Sequence, residues 1–130
     1  MFLGLAVFVA IGGLGLLVLR STWAAYAAAE PVKAYTLAML HARLGVAGVA
    51  CLAAGFVAAR PAGPAGAWAA GTLLLVLSLP LHLVTVWPDY PAWYHFAYLA
   101  LLVPITRLGG FGWVVSSLDG ERTGPSSRRP

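Results

Sequence analysis

Apolar residues run along this chain in long blocks broken by short polar stretches. They show neither the two-residue alternation of a half-buried strand nor the narrow stripe of a soluble amphipathic helix. Residues 1–19 contain no Asp, Glu, Lys, Arg or His, and neither do residues 61–81. Blocks of roughly 20 apolar residues match the length a helix needs to cross a hydrocarbon core. The pattern predicts spans over residues 2–19, 35–59, 68–87 and 92–112, so that residues 1–118 make an all-α, polytopic four-transmembrane-helix bundle. Arg20 closes the first span, and "RPAGPAGA" after Ala59 reads as the break between the second and the third. Trp68 and Trp87 bracket the third, as interfacial aromatics do. The fourth loses its pattern at "RLGGFGW", and residues 119–130 are predicted to be a disordered cytoplasmic tail.

Composition turns the pattern into a class. Hydrophobic residues make up 61% of the chain and charged residues 9%, against roughly 25% charged in soluble domains. A chain so poor in polar groups cannot cover itself in water, so lipid is its expected solvent. Asn and Gln are absent, Ile occurs twice and Lys once, while Ala, Gly, Arg and Pro abound. That bias is the one GC-rich coding produces, and it points to a bacterial plasma membrane. A lone cysteine, Cys51, excludes an intramolecular disulfide and a CxxC site. A leader cleaved near "YAAAE" competes with the first span, but no positive charge precedes the apolar run and Arg20 lies before the small residues.

Charge then orients the spans. Arg60, Arg107, Arg122, Arg128 and Arg129 fall on one side, and Arg20, Lys33 and Arg43 on the other. The positive-inside rule puts the first group, and both termini, in the cytoplasm. The net charge of +4 belongs largely to that face and meets anionic lipid, with no pattern for nucleic acid. Expected partners are the bilayer and either further copies of the chain or a larger membrane complex.

This orientation gathers the chemistry on the outer face. "WPDYPAWYH", residues 87–95, and the segment "RSTWAAYAAAEPVK" both fall there, with His41, His82 and His95 at the adjoining helix ends. Ser78, His82, Thr85 and Asp89 are spaced four, three and four apart, which places them on one helical face. A polar stripe in an apolar span turns toward protein or water, because lipid cannot satisfy it. Pro80 removes an amide beside the stripe and frees the Val76 carbonyl, which invites a kink. His82 then needs a partner, and His41, Arg43, Tyr94, His95 and Tyr98 stand at similar depth on neighbouring spans. The structural alternative is that Ser78 and Thr85 bond their own helix, His82 bonds a neighbour and Arg43 snorkels to headgroups, pairing with Glu30 or Asp89 being the functional alternative for Arg43. Other outer-face aromatics, Trp23, Tyr26, Tyr35, Trp87 and Tyr90 among them, suit the headgroup layer without any special role. Ala47, Cys51, Gly55 and Ala59 recur every four residues as a smooth packing face, for which the glycines of "IGGLGLL" offer a partner.

"MLHARLGVAG", residues 39–48, resembles over that short stretch the membrane anchors of succinate dehydrogenase, where a His-Arg pair opens a helix near quinone and b-type haem. Here Ala42 separates His41 from Arg43, those anchors usually have three spans, and the likeness does not extend to a family assignment. Metalloprotease, nucleotide-loop and serine-hydrolase motifs are absent. The expected function is therefore noncatalytic, as an accessory subunit or a binder of a small hydrophobic molecule at the outer-face polar and aromatic pocket. The candidate ligand-binding residues are His82, Ser78, Thr85, Asp89, His41, Arg43, His95, Tyr94 and Tyr98, with no cofactor predicted. The alternatives are a redox protein holding haem b or quinone through His41, His82 or His95, and a small transporter. A transporter needs an interior carboxylate, and Glu30 and Asp89 are peripheral.

Overall fold

A computed structural model of the chain describes residues 2–122, and the side chains of residues 2–117. The described residues are helical and contain no strand. Helix α1 covers Phe2–Thr22, α2 Ala24–Ala29, α3 Leu37–Pro80 and α4 Ala92–Arg122. A π-helical turn, Leu81–Thr85, continues α3, and a 3-10 turn, Trp87–Asp89, leads to α4. Among the described residues three helices are long and apolar enough to cross a membrane: Phe2–Thr22, Leu37–Thr85 and Ala92–Ser117. Their outward faces expose Phe2, Val9, Val49, Val76, Phe96 and Val115, as a bundle solvated by hydrocarbon would.

The predicted break at "RPAGPAGA" narrows to one residue. Gly63, at φ 59° and ψ −153°, is the single non-helical position inside α3. Only glycine enters that region readily, because it has no Cβ to clash. Pro64 follows at the start of the second arm, where its missing N–H is no loss. The two arms, residues 37–62 and 64–80, fold back on each other: a side chain at Gly66 would collide with the Ala58 carbonyl, and Thr106 of α4 abuts both Gly55 and Gly71.

Small residues set the spacing between helices. Gly55 lies so close to α4 that a Cβ there would overlap the Thr106 carbonyl, and a Cβ at Gly109 would overlap that of Leu52. The smooth face of the first arm thus meets α4, whereas the expected partner was α1. α1 reaches the same arm through Gly4, against Ala54 and Ala58, and through Gly15, against Val46. Ala50, Cys51, Ala54, Ala58, Ala59, Ala67, Ala70, Leu74 and Leu102 form the buried apolar centre. Thr106 is buried among them and its hydroxyl donates to the Leu102 carbonyl at 2.6 Å, which satisfies that group within its own helix.

Two segments differ from the expected loops. The first connection contains α2, whose Tyr26 and Ala29 are buried with Met39 at the start of α3. Thr36 caps α3 by accepting from the Met39 N–H at 3.4 Å. At the other end α4 continues to Arg122, past the expected boundary at 112 and into the first residues of the expected tail. The remainder of that tail, residues 123–130, lies outside the described residues.

Candidate functional site

At the end of the bundle away from Gly63, the start of α3, the π-turn and the start of α4 meet. Immediately after Pro80 the helix widens into Leu81–Thr85, as expected where proline removes an i→i−4 bond. The wider turn breaks the stripe read at three- and four-residue spacing. His82 is buried and Ser78 is half-buried, but Thr85 is exposed. Asp89 sits beyond the turn and pairs instead with Lys33, Oδ2 to Nζ at 3.5 Å. Thr85 and Asp89 are therefore not part of one inward face with His82.

His82 pairs with His95 across the helices, Nδ1 to Nδ1 at 3.0 Å, their rings nearly perpendicular at 82°. The other nitrogen of His95, Nε2, lies 3.3 Å from the carbonyl oxygens of both Trp87 and Tyr90. Carbonyls only accept, so Nε2 of His95 carries the hydrogen and, with both imidazoles neutral, its Nδ1 is the acceptor. His82 must then donate from Nδ1, and its Nε2 is an unprotonated lone pair with no protein partner among the described residues. His95 is fully buried, held between Trp87 at 4.7 Å and the Tyr94 and Tyr90 rings, and His82 stacks on Tyr98 at 4.3 Å. The aromatic density of "WPDYPAWYH" encloses this pair of imidazoles.

His41 stays apart. Its exposed ring stacks on Trp93 at 5.6 Å and its Nδ1 bonds the Leu37 carbonyl at 2.8 Å. Two residues on a helix turn by about 200°, so Arg43 faces the other way, into the bundle. Its Nη1 donates to the hydroxyls of Tyr26 and Tyr35, the latter at 3.4 Å. The guanidinium also lies over the rings of Tyr35 at 5.1 Å and Tyr90 at 5.3 Å. Arg43 bonds these phenols and pairs with neither Glu30 nor Asp89. Glu30 pairs with Arg20, Oε2 to Nε at 3.6 Å. Burial outweighs the adjacent cation in raising the pKa of Tyr26 and of Tyr90, so both phenols stay protonated.

Arg43 and His82 line one cavity of about 270 Å³. Its polar wall adds Tyr90, Tyr94 and Tyr98, and its apolar wall comes from α1, through Phe8, Val9, Gly12, Gly13 and Leu16. A Cβ at Gly12 or Gly13 would meet nothing within 4 Å, so these glycines face open space, not a packed helix. Of the residues singled out by sequence, Arg43, His82, Tyr94 and Tyr98 reach the cavity, while His95 and Ser78 stand behind it. Sequence reasoning missed Tyr26, Tyr35 and Tyr90 as the partners of Arg43, and the whole α1 wall. The depth shared by Tyr26, Tyr35 and Arg43 was the available signal, and it was absorbed by the headgroup reading of the aromatics. Among the described residues no group of three or more His, Cys, Asp or Glu side chains is placed to hold a metal ion. Comparison with protein-family models, curated proteins and solved structures gives no match to this chain.

Proposed function

We propose that this chain is a four-span protein of a bacterial plasma membrane, with both termini cytoplasmic and the His82–His95 end facing outward. Leu37–Thr85 has 49 residues, about 74 Å if straight, more than twice the roughly 30 Å hydrocarbon thickness. Folded at Gly63, each arm fits one crossing.

Within that class, the particular reading is a noncatalytic binder of a small hydrophobic molecule. One observation carries it: a cavity of about 270 Å³ has hydrogen-bonding groups on one wall and bare glycine and aliphatic carbon on the other. Such division fixes a ligand's orientation by its polar end and holds it by its apolar body. An accessory role in a larger membrane complex is compatible with the same site. The test uses Gly12→Leu, whose Cβ enters open space on the α1 side of the cavity and whose isobutyl group takes up cavity volume. Native mass spectrometry of the protein released from membranes should find a small-molecule adduct on the wild type and none on the variant, with equal thermal stability. An adduct retained by Gly12→Leu would move the site elsewhere.

A redox reading is favoured by one feature, the unprotonated Nε2 of His82 in a residue that lines the same cavity as Arg43, a pair of groups that suits the ring oxygens of a quinone. Bis-histidine haem is a poor fit. It needs two free imidazole nitrogens on opposite faces of one iron, whereas His82 and His95 bond each other and His95 Nε2 bonds carbonyls. Transport gains no support, since Glu30 and Asp89 are held in ion pairs at the end of the bundle.

A further inference from the structure

We infer that the ligand of this cavity is a single-chain carboxylic acid, its carboxylate head at Arg43 and its hydrocarbon chain along α1; the inference rests on the binding role proposed above. Arg43 is the cation of the cavity wall, and no carboxylate offsets it. The ion pairs among the described residues are Arg20–Glu30 and Lys33–Asp89. The phenols around it give hydroxyls and ring faces, and neither is a counter-ion. Its Nε–H is buried and has no acceptor. A partly desolvated, uncompensated guanidinium is costly, and an anion entering the cavity removes that cost. A small shift of the side chain toward the head group also gives Nε–H an acceptor.

The charge count selects a monoanion over a dianion. One guanidinium matches one negative charge, while a phosphate monoester brings about 1.5 to 2 and would leave excess charge among apolar groups. The α1 wall selects the body. Gly12 and Gly13 present no side chain, with Val9 and Gly13 exposed at the edge. A cavity of about 270 Å³ holds roughly nine non-hydrogen atoms at about 30 Å³ each, water's share of its liquid. That is room for a carboxylate and the first few methylenes of a chain, the remainder leaving past Val9.

The test uses the full chain in nanodiscs of zwitterionic lipid and three probes: 11-bromoundecanoic acid, its methyl ester and 11-bromoundecanol. Bromine quenches tryptophan emission, so each titration reports binding directly. The acid should quench saturably, with affinity about tenfold or more above the ester and the alcohol, as a charge-assisted bond requires. Arg43→Gln should bring the three probes to equal, weak affinity, and Arg43→Lys should keep part of the preference for the acid. If the wild type binds all three saturably and equally, the carboxylate head is wrong and the apolar site stands. If none of them saturates, the binding role itself falls. Should Arg43→Gln fail to fold, the comparison of three probes on the wild type still decides.

Discussion

Replacing Gly55 with alanine adds one methyl group at the closest approach of α3 and α4, where its Cβ would overlap the Thr106 carbonyl. The obstructing atoms are backbone, which cannot rotate away, so α4 itself must move outward. A radial gap of about 0.5–1 Å forfeits a quarter to a half of each dispersion contact, and a buried leucine makes some 40–60 contacts at about 0.1–0.2 kcal/mol. Leu102, fully buried on α4, would alone lose about 1–6 kcal/mol on that scale, a range that contains the 1–3 kcal/mol typical of overpacked cores. Gly45→Ala is the matched control, because a Cβ at Gly45 meets nothing within 4 Å. It should be neutral or stabilising by a few tenths of a kcal/mol up to about 1 kcal/mol through helix propensity. Unfolding by sodium dodecyl sulfate from mixed micelles, followed by tryptophan emission, measures both. Equal midpoints for Gly55→Ala and Gly45→Ala would refute the close contact between α3 and α4.

Three further outcomes follow from the same geometry. His95→Ala should cost about 1–3 kcal/mol, since it leaves the His82 Nδ1–H and two carbonyls without a partner, and a wild-type midpoint in the same assay would remove the imidazole pair. Tyr26 and Tyr90 have pKa values raised by burial above the roughly 10 of an unfolded chain. Above pH 10 the unfolded state therefore releases protons that the folded state keeps. Their stabilisation is full below pH 10 and is lost as pH rises through the folded values, so the midpoint should fall between pH 10 and 11, less so in Tyr90→Phe. Reporter fusions after residues 63 and 130 should read cytoplasmic and those after 28 and 90 external; the reverse pattern would put the cavity on the inner face.

Much of this architecture was legible before any coordinates. Two uncharged blocks, 1–19 and 61–81, and the scarcity of polar residues dictate long apolar helices, because backbone groups in apolar surroundings must bond within their own segment. The inward turn of His82 was legible for the same reason: an imidazole placed among Leu and Val seeks a polar neighbour. Periodicity also set His41 and Arg43 on opposite sides. The fate of Thr85 was not legible, because the stripe assumed 3.6 residues per turn and the π-turn after Pro80 changes that count locally. The break at "RPAGPAGA" was legible but its narrowness was not, since eight breaker residues read as a loop when one glycine, Gly63, suffices. Which imidazole met His82, which face of α3 met α4, and whether Gly12 and Gly13 packed or lined a space all depend on the rotation and closeness of separate helices. Many distant pairs of small residues settle those together. A one-dimensional pattern records which face of a helix is smooth or polar, but not which other face arrives against it, and the cavity between Arg43 and α1 exists only through that choice.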